Sequence, residues 1–170
     1  EFNLLHRYPS GKRNIQKRSH TKTAEHIRKS REYGYDYFDG EREYGYGGYR
    51  YDGRWVPIAE DIVSHFNLKP GMRILDVGCA KGFLVKDLSQ VLPGLEAFGL
   101  DISEYAIKNC EPEVSRRLIL GSVENLPFHD NSFDAVICIN TVHNLERPRC
   151  IRAVREVERV ARNGHAYIQV

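Results

Sequence analysis

Two aspartates, Asp76 and Asp101, each sit at the end of a short apolar run, and 25 residues separate them. Just after the first, Gly78-Cys79-Ala80-Lys81-Gly82 supplies small residues where a chain turns tightly from strand to helix and a ligand approaches the backbone. A carboxylate at the next strand tip accepts hydrogen bonds from two ribose hydroxyls, the role of the acidic residue about 20 positions on in nucleotide-binding folds. Asp101 stands where that role requires; the alternative is that it merely caps a helix beginning near Ser103. Asp76, acidic and placed directly before the turn, disfavours a pyrophosphate and suits a ligand with a cationic part. Neither the phosphate loop G-x-x-x-x-G-K-[ST] nor the dinucleotide fingerprint G-x-G-x-x-G is present.

The elements that must position these residues follow from hydrophobic periodicity. Arg73–Val77, Ala97–Leu100, Arg117–Leu120, Phe133–Ile139 and His165–Val170 read as five strands. Ile58, Ile62, Val63 and Phe66 mark one helix face, with Pro57 in its first turn, and Phe83, Leu84, Leu88 and Val91 mark a second. Ser103 is the N-cap of a third helix running through Cys110, and three- and four-residue steps from Ile151 to Ala161 predict a fourth over Pro148–Arg162. Apolar strands alternating with amphipathic helices specify an α/β, doubly wound, mainly parallel Rossmann-like sheet covered on both faces. Ligands of such sheets bind beyond the carboxyl ends of the strands. That places loops 76–82, 101–103, 121–128 and 139–146 around one site.

The chain has 170 residues, 41% hydrophobic and 28% charged, which suits one globular domain. No apolar run approaches the ~18 residues that span a bilayer, so a membrane protein is not expected. Four widely spaced cysteines without a C-x-x-C pair read as small buried residues of a reduced, cytoplasmic protein rather than as a disulfide framework. The net charge of +2 hides a split: residues 1–31 carry nine Lys/Arg against two Glu. Residues 33–55 hold nine of the 18 aromatics and six of the 14 glycines, too glycine-rich for a helix and too aromatic for a free linker. Residues 1–55 therefore form a basic arm and an aromatic, glycine-rich lid, ahead of a core over 56–170. Tyr49, Arg50 and Tyr51 are the lid's candidate ligand contacts; the alternative is that these aromatics pack the arm onto the sheet. Nucleic acid is a partner the arm could serve but not the favoured one, since aromatics are sparse among its cations. A solvated or docked arm is the blander reading.

The run ILDVGCAKGFLV, then GLDIS, then GSVENLPFHDNSFDAVICINTVHNLE, resembles the class I S-adenosylmethionine-dependent methyltransferases over roughly residues 55–170. YGYGGYRYDGRW, residues 44–55, more loosely resembles a stretch ahead of the core in members near sugar and polysaccharide genes. The resemblance implies S-adenosyl-L-methionine as cofactor and methyl transfer to a small polar acceptor, a sugar among the candidates. RNA or protein methylation through the basic arm and a non-catalytic cofactor-binding module are the alternatives. It further implies that Asp76 and the backbone of Gly78, within the turn that includes Ala80 and Gly82, hold the methionine end; in the lid reading Arg50 is the candidate for its carboxylate. Asp101 would take both ribose hydroxyls, Ile102 would pack on adenine, and Ser122, Val123 and Glu124 would edge the ring. Asn140 would close the pocket toward the sulfonium. Ala80 replaces a second glycine of many members, and Ser122 replaces an aspartate that contacts the adenine amino group. For an alcohol acceptor His143 is the candidate general base. The resembling family continues past the fifth strand with a helix and two strands, so the core over 56–170 is expected to be incomplete. An uncovered sheet edge would then recruit a partner, a second copy among them.

Overall fold

A computed structural model describes residues 3–9 and 23–170. Lys12, Arg13, Lys17, Arg18 and Lys22, five cations of the basic arm, lie outside the described residues. Before the sheet come helices α1 (Ala24–Ser30), α2 (Tyr35–Phe38) and α3 (Val56–His65). Then follow β1 (Arg73–Val77), α4 (Phe83–Val91), β2 (Glu96–Asp101), α5 (Glu104–Lys108), β3 (Leu118–Leu120), β4 (Ala135–Ile139), α6 (Arg147–Val160) and β5 (Ala166–Gln169). The strand order is β3-β2-β1-β4-β5 and every pairing is parallel.

Alternation along the central strands explains why both faces are covered. Ile74 of β1 and Ile137 of β4 join Ile58 and Ile62 of α3 and Leu84 and Leu88 of α4 in one core layer. Their neighbours Leu75, Val77, Val136 and Cys138 point the other way, onto Ala153, Val157 and Val160 of α6. Because β1 pairs with β2 on one side and β4 on the other, the strand order reverses there, and a crevice opens beyond the carboxyl ends of β1 and β4.

The expected elements are present with shifted ends. The helix expected over Pro148–Arg162 stops at Val160, because Ala161 turns extended and bridges Phe133. The same bridge lies ahead of β4, which begins at Ala135 rather than Phe133. The third strand begins at Leu118 because Pro112–Arg117 winds into a 3-10 turn. The third helix ends at Lys108, short of Cys110, and Ser103 caps it by accepting from the Ala106 N–H.

Residues 33–55 contradict one expectation, since they contain a helix, α2. Its four residues Tyr-Asp-Tyr-Phe hold no glycine, so the segment's average composition concealed a single short turn. From α1 to Trp55 the chain runs as a strap over the carboxyl ends of β1 and β2. Arg7 pairs with Glu60 and Asp61 of α3, and Leu4 is fully buried against the same layer. Arg28 and Lys29 pair with Glu32 and Asp36, within the strap itself. All four cysteines are free thiols; Cys79 and Cys138 are buried, Cys110 and Cys150 partly so. Among the described residues no helix is long and apolar enough to cross a membrane.

Candidate functional site

The strap, the β1 turn and the loops after β2, β3 and β4 enclose a cavity of about 670 Å³. Its floor is built from the β1 turn. Gly78 has φ +87, and its N–H donates to the Leu100 carbonyl at 2.7 Å, tying the turn to β2. A Cβ there would lie 2.0 Å from the Thr141 hydroxyl oxygen, so glycine alone lets the β1 and β4 ends approach so closely. The same hydroxyl donates to the carbonyls of Val77 or Ile139, each 3.2 Å away, stitching the two strand ends together.

Two carboxylates face this floor. Asp101 accepts from the N–H of Ala80 at 2.7 Å and of Ser103 at 2.8 Å. Burial raises its carboxyl above the ordinary range, opposed by backbone donation from Ser103, Ala80 and Ile102. Asp101 thus braces the turn and the start of α5, and its remaining lone pairs stay available for hydroxyl donors. Asp76 is only 5% exposed, and no hydrogen bond from a described residue reaches its carboxylate. Burial, reinforced by the charge of Asp101, pushes it up to about 7. A cationic group placed between the strap and this carboxylate would relieve both effects.

The roof is the strap, fastened through Lys81 of the β1 turn. Lys81 Nζ donates to both carboxylate oxygens of Asp39, at 2.8 and 2.6 Å, and to the Tyr49 carbonyl at 3.0 Å. Asp39 also accepts from the Tyr105 hydroxyl at 2.6 Å and the Tyr49 N–H at 3.2 Å. Ser103 donates to the Tyr33 carbonyl at 2.5 Å. Phe38 packs in one cluster with Ala80 and Ala106, and Tyr49 stacks on Phe83 with ring centres 4.6 Å apart.

Of the residues expected at the site, Asp76, Gly78, Ala80, Asp101, Ile102, Ser122, Val123, Glu124, Asn140 and Tyr49 line the cavity. Asn140 adopts φ +54, a left-handed conformation that asparagine tolerates. Ser122 accepts from the Glu124 N–H at 3.2 Å, while the Glu124 carboxylate is taken by Arg149 and Arg152. Four expected residues lie off the cavity wall. Gly82 turns the chain into α4 with φ +78, against Leu118 and Val114. Arg50 is exposed to solvent. Tyr51 donates to Asp87 of α4 at 2.6 Å, so it anchors the strap to the body. His143 sits exposed in the 3-10 turn Val142–Asn144, and among the described residues no histidine lines the cavity.

Sequence reasoning missed several residues that build the site. Asp39, Lys81 and Thr141 act through long-range contacts, for which a single sequence carries no signal. Leu5, Tyr8, Tyr37 and Tyr46 also line the cavity. Tyr8 belongs to the basic arm but packs on Trp55, with ring centres 4.9 Å apart.

Residues 75–168 match the family model described as a methyltransferase domain. The chain belongs to that family. This methyltransferase domain is 33% identical to the demethylmenaquinone methyltransferase of Symbiobacterium thermophilum, over 68% of the chain and 49% of that relative. It is 38% identical to the probable tRNA methyltransferase 9B of Homo sapiens, over 54% of the chain and 19% of the relative. Among solved structures, a putative S-adenosyl-L-methionine-dependent methyltransferase from Methanococcus maripaludis superposes with a TM-score of 0.59 at 24% identity. That superposition covers 67% of the methyltransferase domain and 54% of the other chain, and it shows the shared fold. The chain spans about half the length of the first curated relatives it matches. The strap lies outside the residues that the family model matches.

Proposed function

We propose that the chain transfers a methyl group from S-adenosyl-L-methionine to a small, ring-bearing polar acceptor. The observation that carries this reading is the Asp76 carboxylate, buried, facing the cavity and without a hydrogen-bond partner among the described residues. A ligand with an ammonium group would supply a charge-matched donor to that carboxylate. Asp76 would hold the methionine ammonium, Asp101 the ribose hydroxyls and Ile102 one face of the adenine. The backbone at Ser122, Val123 and Glu124 would border the ring, and Asn140 would close the pocket beside the methyl. When bound, the sulfonium supplies a methyl group whose leaving group is a neutral thioether, so no acid is needed.

What the chain itself contributes is alignment and exclusion of water. Lys81 and Asp39 hold the strap over the floor, and the rings of Tyr8, Tyr37, Tyr46 and Trp55 present flat apolar faces with polar edges. Such walls suit a sugar or another ring with hydroxyl groups; the quinone methyltransferase named among the relatives also supports a ring-bearing acceptor. Burial raises Tyr49 well above the usual phenol range, so its hydroxyl stays protonated and serves as a donor rather than a base. The four free thiols support a reducing, cytoplasmic setting.

Calorimetric titration with S-adenosylmethionine and S-adenosylhomocysteine tests the reading, with micromolar binding of both expected; no binding to either overturns it. Release of S-adenosylhomocysteine with hydroxylated ring compounds then identifies the acceptor class. Release with tRNA instead would move the acceptor to the class named for the human relative, and binding without release in any mixture would make the chain a non-catalytic module.

A further inference from the structure

Residues 3–9 form a turn with two different faces. The Tyr8 N–H donates to the Leu5 carbonyl at 2.9 Å, and the His6 N–H donates to the Asn3 carbonyl at 3.3 Å. Leu4 and Arg7 face the body. Leu4 is fully buried and its N–H donates to the Tyr167 hydroxyl of β5 at 3.2 Å, while Arg7 meets Glu60 and Asp61 of α3 at 2.7 and 2.9 Å. Leu5 and Tyr8 line the cavity. Tyr8 is held there from two sides, by the Trp55 ring with centres 4.9 Å apart and by Arg54, whose Nη1 donates to the Tyr8 hydroxyl at 3.4 Å.

The strand order gives this wall its place. Along β3-β2-β1-β4-β5, Ser122, Asp101 and Asp76 stand at or just past the carboxyl ends of β3, β2 and β1. Residues 3–9 are pinned instead to β5, the opposite edge, and to α3. Asn140, Asn144 and Glu146, from the loop after β4, line the cavity on that same half. A cofactor spread over Asp76, Asp101 and Ser122 therefore leaves the end walled by Leu5, Tyr8 and Trp55 to a second ligand.

Among the described residues, that end offers no cation to pair with an anion. Arg54 is held by Asp52 at 2.8 Å, and Arg7 by its two acids on α3. The two arginines that line the cavity belong to the other half. Arg149 meets Glu124 after β3, and Arg31 lies two residues before Tyr33, whose carbonyl accepts from Ser103 after β2. Glu146, at the start of α6, adds a negative charge.

We propose that Leu5, Tyr8 and Trp55 wall the acceptor subsite, and that this subsite takes an uncharged ring bearing a hydroxyl group and rejects its phosphorylated form. The proposal rests on the cofactor reading given above. The ring lies on the aromatic faces and its hydroxyl points toward Asn140, Asn144 and Glu146. A phosphate enclosed there would lose water and gain no countercharge. Acceptor choice is then set by a segment outside the residues that the family model matches.

The test is calorimetric titration of the chain, first saturated with S-adenosylhomocysteine, with 2-naphthol and with 2-naphthyl phosphate. 2-Naphthol should bind, and 2-naphthyl phosphate should bind at least about tenfold more weakly. Tyr8→Ala should weaken 2-naphthol at least about tenfold, the scale of a lost aromatic contact with its buried area, and leave S-adenosylhomocysteine within about twofold. Leu5→Phe narrows the same space without removing a contact of Tyr8, and should also weaken 2-naphthol. No binding of 2-naphthol, equal affinity for the phosphate, or unchanged 2-naphthol affinity in both variants would overturn the proposal. Equal weakening of 2-naphthol and S-adenosylhomocysteine would overturn it too, by placing these residues at the cofactor. Failure of the unmodified chain to bind S-adenosylhomocysteine would remove the cofactor reading itself, a result distinguishable from the others.

Discussion

Lys81 Nζ lies 2.8 and 2.6 Å from the two carboxylate oxygens of Asp39, joining the glycine turn of the sheet to a strap 42 residues upstream. Lys81 is 7% exposed, and so takes part in the core although its charge would ordinarily place it in water. The pair is tolerated because further hydrogen bonds satisfy both ions: Tyr105 and the Tyr49 N–H on the acid, the Tyr49 carbonyl on the base.

Asp39→Ala should therefore destabilise the chain. Removing one partner of a buried pair costs about 3–5 kcal/mol, and the partial exposure of Asp39 brings the expected loss to about 2–3 kcal/mol. Urea unfolding measures it. A loss below about 0.5 kcal/mol, the scale of an exposed pair, would show that the strap is not fastened here.

The acidity of Asp76 makes cofactor binding depend on pH. In the free chain its carboxyl is raised to about 7, and an ammonium ligand favours the charged form. Affinity should therefore climb as pH rises from about 6 to 8, then level off, with protons released on binding. Stability of the free chain moves the opposite way, because a group whose folded pKa is raised contributes most below its unfolded value, about 3.9, and loses that contribution as pH rises through 7. The thermal shift produced by cofactor should accordingly be larger at pH 8 than at pH 6. Equal shifts at both values would place the ammonium elsewhere.

Gly78→Ala tests the close approach of the β1 and β4 ends. The added Cβ would meet the Thr141 hydroxyl at 2.0 Å and would have to adopt φ +87. Each strain of this kind costs about 1–3 kcal/mol, so a loss of at least about 2 kcal/mol is expected, together with loss of cofactor binding. Adding Thr141→Ala should restore only part of the stability, because the backbone strain remains. Full restoration would mean that the dihedral angle carries no cost.

Tyr51→Phe separates strap anchoring from ligand contact. It removes the hydrogen bond to Asp87, whose side chain is fully buried and already has one oxygen without a partner. A buried acceptor left unsatisfied costs about 1–3 kcal/mol, so the melting temperature should fall by several degrees. Cofactor affinity, measured well below that temperature, should stay within about twofold. A large loss of affinity would put Tyr51 at the ligand after all.

The five strands and the loop cluster were legible in the sequence because a doubly covered parallel sheet leaves continuous apolar runs with glycine and aspartate at their ends. Asp76 and Asp101 stood out for that reason, and both line the cavity. The strap was legible only as a composition. Whether Tyr49, Arg50 or Tyr51 faced inward depends on how Asp39 meets Lys81, a contact that no local periodicity encodes. His143 was drawn toward the mouth by its distance from β4, but the 3-10 turn that begins at Val142 buries the valine and leaves the histidine outside. Helix α2 was hidden because it is a single turn of four residues with glycine on either side, too short to show a period.

The strap also has an order of assembly built into it. Tyr33, Asp39 and Tyr49 leave the ribosome before their docking partners Lys81 and Ser103, which belong to a sheet not yet made. Both contacts need the turns after β1 and β2 in place, so the strap has no surface to dock on until the sheet supplies one. The roof is therefore synthesised first and seated last. A segment seated last is also released at lower free energy than the sheet, so amide hydrogens of residues 33–55 should exchange through openings that leave β1 and β4 protected. Such partial opening gives a ligand a way into the enclosed floor while the rest of the chain stays folded.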